Sequence, residues 1–149
     1  VQAEGSDYMY QAWVNDEDVL TKPPIEAHTV ADSISAGLPR DRMKAMAAVK
    51  ETGGAYVSIT EDEILDAIPA MARLSGVFGE PAGATAYAGL VKAVDDGLVT
   101  STDRVVVLNT GNGLKDIASA MTAVEQIGTV AHRVAPDLDD VKRVLKTLN

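Results

Sequence analysis

"VVVLNTGNGLKD", Val105 to Asp116, decides the reading of this chain. A continuous apolar run such as Val105 to Leu108 is the mark of a strand buried on both faces, as strands of parallel sheets are. Asp116 is placed to cap a helix running on through Val124. Between them sit Asn109, Thr110 and two glycines flanking Asn112, the composition of a strand-to-helix turn. A phosphate-binding P-loop needs four residues between its glycines and a Gly-Lys-Ser/Thr ending, which "GNGLKD" lacks. A dinucleotide fingerprint needs a third glycine three positions after Gly113; Asp116 stands there, and its carboxylate would oppose a pyrophosphate at the helix amides. Two readings remain. The turn either only joins strand to helix, or it presents the hydroxyl of Thr110 at the carboxyl edge of a sheet, the edge where open α/β sheets bind ligands.

Working outward, the pattern alternates strands with helices. Residues 1 to 4 read as the end of a strand, and Tyr8 to Val14 as a short helix capped by Ser6 or Asp7. "NDED" and "KPP" mark a loop from Asn15 to Pro24, and the stretch from Ala27 to Arg40 is ambiguous, closing in a turn at Gly37 and Pro39. Asp41 to Thr52 has helical spacing and ends at Gly53-Gly54, and "AYVSI" (Ala55 to Ile59) alternates as a short strand does. Thr60 to Glu63 is a capping box, so a helix starts there with Ile64, Leu65, Ile68, Met71 and Ala72 on its apolar face. Pro69 falls inside that helix, and a kink or break is expected near Ala67. Pro81 opens the next helix and Gly97 closes it. Its small residues, Ala82, Gly83, Ala84, Ala86, Ala88 and Gly89, suit tight packing on other elements or close approach to a flat bound molecule. Ile127 to Val134 is a further strand candidate and Asp137 to Leu148 a terminal helix. The order predicts an α/β class with an open, mostly parallel sheet and helices on both faces.

Bulk composition narrows the function classes. The 149 residues make about one domain, 46% hydrophobic and 23% charged, with the proportions of a globular protein. A net charge of -9 argues against nucleic acid or anionic membrane as partners, because the field repels both. The basic residues Lys142, Arg143 and Lys146 follow Asp137, Asp139 and Asp140 as on a helix with a complemented dipole. With no cysteine there is neither disulfide nor thiolate site, which suits a cytoplasmic location. His28 and His132 lack ligand spacing, so no metal site is expected. No stretch reads as a membrane span or a signal peptide. The opening "VQAEG" has no methionine and begins like the end of a strand, so the chain is expected to be a piece of something longer.

Taken in order, "VQAEG", "HTVADSISAG", "TGGAYVSITEDEIL", "GEPAGATAYAGLVKAVDDG" and "TGNGLKD" resemble the C-terminal half of the threonine synthase family, pyridoxal-phosphate enzymes of the tryptophan-synthase-β fold type. The resemblance covers nearly the whole chain and rests on the order and spacing of the motifs together. It implies that residues 1–149 are the C-terminal part of the large cofactor-binding domain, with the N-terminal part absent from this chain. It also implies pyridoxal 5'-phosphate as cofactor, with Thr110 beside the pyridine nitrogen and Asn109, Gly111 and Glu80 around it. A neutral hydroxyl can donate to an unprotonated ring nitrogen, whereas a carboxylate would keep it protonated and the ring a deeper electron sink. Glu80 is equally well accounted for as a helix N-terminal carboxylate.

The implied activity is a lyase reaction of threonine biosynthesis, O-phosphohomoserine and water giving threonine and phosphate. The full-length enzyme would be a cytoplasmic homodimer acting on a small phosphorylated amino acid. The lysine that forms the Schiff base is expected upstream, so this chain holds no catalytic residue of its own and is expected to be inactive alone. Asn112 and Ile117 depart from the histidine and proline that many family members carry, which leaves substrate choice open. Cysteate synthase, using phosphoserine and sulfite on a similar framework, is the alternative enzyme. A non-catalytic acidic α/β interaction or regulatory module is the alternative from another class.

Overall fold

The structure, a computed structural model, describes residues 1–148. Its elements are β1 (Gln2–Ala3), α1 (Tyr8–Val14), α2 (Arg42–Glu51), β2 (Ser58–Ile59), α3 (Glu61–Ser75), α4 (Pro81–Asp95), α5 (Ile117–Gln126) and α6 (Leu138–Thr147). β1 and β2 run parallel, Gln2 beside Ser58 and Ala3 beside Ile59, with the Gln2 amide donating to the Val57 carbonyl at 2.8 Å. Parallel neighbours need a crossover, and here it is the whole run through α1 and α2. The fold is α/β with a small open parallel sheet, as the alternating pattern predicts.

The main core lies where α4 covers the strands and α3 packs beside it. Ala3, Ile59, Ile64, Ile68, Met71, Ala84, Ala88 and Ala123 belong to one buried cluster. The predicted face of α3 is the buried one, apart from Ala72 at intermediate burial. Its start is the capping box: Thr60 Oγ1 accepts from the Glu63 amide at 3.2 Å, and the Glu63 carboxylate accepts from the Thr60 amide at 2.7 Å. Of the kink or break expected near Ala67, the break does not occur: α3 runs unbroken through Pro69. Burial of Ala67, Ile68 and Met71 on either side of the proline outweighs the one backbone bond it removes. A second cluster, Tyr8, Met9, Ala12, Val19 and Met46, joins α1 to α2. Neither predicted cap serves α1. The Ser6 hydroxyl accepts from the Ala36 amide at 2.8 Å, and the Asp7 carboxylate accepts from Gln11 and Ser58 at 2.7 and 3.0 Å.

Two predicted strands are not formed. Val105 to Leu108 has no strand structure; Val106 is 84% exposed and Leu108 71%. A buried parallel strand needs a neighbour for its amides and carbonyls and cover over both faces. Among the described residues, nothing from Arg104 to Thr110 makes a hydrogen bond, and the two formed strands have two residues each. Ile127 to Val134 is likewise without strand structure and exposed. No described helix is long and apolar enough to cross a membrane.

Candidate functional site

Two segments distant in sequence meet at the start of α4. Phe78 to Glu80 leads into the helix, and Gly111 to Gly113 crosses it antiparallel, with Gly79 bridged to Asn112. The Glu80 amide donates to the Gly111 carbonyl at 3.1 Å, and the Gly113 amide donates to the Phe78 carbonyl at 3.0 Å. Pro81 occupies the first helical position, where its missing donor costs nothing. On the far side of the turn, Asn112 Oδ1 accepts from the Leu114 amide at 2.9 Å. Asp116 caps α5 as predicted, accepting from the amide and hydroxyl of Ser119 at 3.0 and 2.6 Å. Those bonds, the hydroxyl first, hold the Asp116 carboxyl below the usual aspartate range.

Three of the four predicted site residues, Glu80, Asn109 and Gly111, come together there. Glu80 is 5% exposed, yet its carboxylate does not cap α4. It turns instead to Lys115, whose Nζ donates to Oε1 at 2.7 Å. Gly111 is buried beneath that carboxylate, and a Cβ on it would overlap Glu80 Oε1. Asn109 lays Oδ1 over the start of α4, in the space that Gly83 leaves by having no Cβ. Thr110 is exposed, and its hydroxyl is hydrogen-bonded to none of the described residues. The clearance made by the turn's glycines is therefore against the protein's own Glu80 and, at Gly113, the Phe78 ring. The small residues of α4 likewise serve packing: Ala82, Ala84 and Ala88 are buried in the main core.

Lys115 is the site residue that sequence reasoning left without a role. Its partner lies 35 residues away, and no local spacing encodes such a pair. The apolar cleft between α3 and α5, lined by Ile68, Pro69, Phe78, Met121 and Val124 among others, includes none of the four predicted residues.

A neutral hydroxyl is a group that can donate to the nitrogen of an aromatic ring, so the residues present are compatible with such a ligand. The turn offers a neutral hydroxyl free to donate at Thr110, while the one nearby buried carboxylate is neutralised by a lysine. The family described as "Pyridoxal-phosphate dependent enzyme" matches residues 1–111. Over 149 residues, 99% of this chain, it is 34% identical to a threonine synthase of Methanocaldococcus jannaschii, of which the match covers 35%. A threonine synthase of Methanosarcina acetivorans is 39% identical over 85% of the chain and 31% of its own length. One from Mycobacterium tuberculosis is 39% identical over 75% of the chain and 31% of its own length. The chain thus spans only 31–35% of these curated relatives. With the family match extending over residues 1–111 and up to the turn that holds Thr110, this chain belongs to the pyridoxal-phosphate dependent enzyme family.

Proposed function

We propose that this chain is the C-terminal part of the large domain of a threonine synthase-like lyase. That enzyme would convert O-phosphohomoserine and water to threonine and phosphate. The observation that supports the reading best is the turn from Asn109 to Gly113, closed against the start of α4 by Glu80, within a chain similar to one threonine synthase over 99% of its length and to another over 85%. Pyridoxal phosphate, when bound, supplies an electron-withdrawing ring that stabilises negative charge at the substrate's α-carbon. Thr110 would donate a hydrogen bond from its hydroxyl to the ring nitrogen, which would stay unprotonated. Being neutral, it keeps the ring a weaker electron sink than a carboxylate partner would. Asn109, Gly111 and Glu80 would hold the turn beneath that contact. The lysine that bonds the cofactor lies, on this reading, in a part of the enzyme outside these residues.

The surface area supports the domain assignment. A compact monomer of 15.6 kDa exposes about 7,200 Å² by the usual scaling, and this chain exposes 9668 Å². The difference is the size of surface that further polypeptide of the same domain would cover. The test is phosphate release by the full polypeptide that carries this chain, with O-phosphohomoserine supplied alone. Threonine formed in step with phosphate is the expected result. Release only with phosphoserine and sulfite would replace the reading with a cysteate synthase-like one, and no turnover or cofactor absorbance with either would overturn it.

A further inference from the structure

Glu80 is a negative charge taken almost wholly out of water, with 6% of its side chain exposed. Burying a carboxylate costs several kcal/mol unless something compensates it. It stands at the N-terminus of α4, where the helix amides could have compensated it, but its side chain makes no capping bond. Among the described residues the donor to its carboxylate is Lys115. Lys115 is itself 57% exposed and reaches in from beyond the turn, so its bond ties the far end of "TGNGLKD" to the start of α4. Between the two residues lies Gly111, whose carbonyl accepts from the Glu80 amide and whose missing Cβ makes room for the carboxylate. Thr110 and Asn109 are the next residues back along the chain, and among the described residues neither makes a hydrogen bond.

We infer that Lys115 is a positioning residue: by neutralising the buried Glu80 carboxylate it clasps the Gly111–Gly113 turn to α4 and so fixes the aim of Thr110. The inference rests on the functional reading above for what Thr110 is aimed at, though the clasp itself does not. Without Lys115 the carboxylate has no cation and must swing out or draw in water, and the turn resting on it loosens. Arginine can reach the same oxygen; methionine keeps the stem and loses the charge.

The experiment is carried out on the full polypeptide. Hydrogen–deuterium exchange is followed in peptides spanning 78–83 and 109–116, and pyridoxal phosphate affinity by its fluorescence. Lys115→Met should speed exchange in both segments about ten-fold or more and weaken the cofactor about as much. Lys115→Arg should stay near the parent in both measurements. The double variant Lys115→Met/Glu80→Gln should recover slow exchange, since an uncharged amide needs no cation. Unchanged exchange in Lys115→Met overturns the clasp, and so does faster exchange that the double variant fails to recover, which would assign the effect to the lysine stem. Faster, recoverable exchange with unaltered cofactor affinity overturns the positioning role. A parent protein that takes up no cofactor instead sinks the functional reading, while the exchange measurement still decides the clasp.

Discussion

Gly111 and Thr110 are neighbours whose substitutions separate packing from chemistry. A methyl group on Gly111 would overlap the Glu80 carboxylate, so Gly111→Ala must displace either Glu80 or the turn. Overpacking of that kind costs about 1–3 kcal/mol, which a denaturant midpoint would register. Thr110→Val adds no bulk and breaks no hydrogen bond with the described residues, so stability should stay within about 0.5 kcal/mol. On the proposed function the same variant loses the donor to the ring nitrogen, so the bound cofactor's absorbance should shift and turnover should fall. An unaltered spectrum and rate would remove Thr110 from the site. The difference in legibility follows the same line. Thr110 and Glu80 could be picked out because each sits in a short motif whose order along the chain resembles a family. Lys115 could not, since its importance comes from a carboxylate that only the folded chain brings to it.

At the scale of elements, the signals that read correctly are those whose physics is complete within a few residues. Thr60 and Glu63 satisfy each other's orphan amides without help from elsewhere, and Asp116 does the same for the start of α5. The caps proposed for α1 failed because Ser6 and Asp7 have better partners across the fold, in the loop at Ala36 and in β2 at Ser58. Pro69 predicts a kink or break in α3 on local grounds, and tertiary burial keeps the helix from breaking. The cap at Asp116 carries a pH dependence whose sign is fixed. Its carboxyl is held below the ordinary value of 3.8 by Ser119, so the cap's contribution is fully present above that value and fades as pH falls through the lower, folded one. Asp116→Ala should therefore cost about 1 kcal/mol at neutral pH, and the gap between the variant and its parent should close in acid melts below about pH 4. A gap that persists unchanged in acid would mean that the side chain matters through packing rather than charge.

For the whole molecule, the strands that failed to form are the informative ones. Val105 to Leu108 reads as a strand buried on both faces because its residues suit that setting, yet a sequence does not say which polypeptide provides the cover. Within these residues nothing does: Val106 and Leu108 face water, as do Val130 at 62% and Leu138 at 67%. Exposed apolar surface contiguous over several residues is an adhesive feature, and a run of unpaired amides and carbonyls beside it is a template for another strand. If the rest of the enzyme's large domain supplies the neighbours, the amides of 104–110 should exchange quickly in the 149-residue chain expressed alone. In the full polypeptide they should be among the slow ones. The isolated chain should also bind a hydrophobic dye and self-associate at concentrations where the full polypeptide does neither. Fast exchange of 104–110 in both would mean that no strand forms there in either setting, and the assignment of this chain to the interior of a larger sheet would fall. Equally slow exchange in both would mean that the isolated chain finds its own partner for the segment, contrary to the bonding found here.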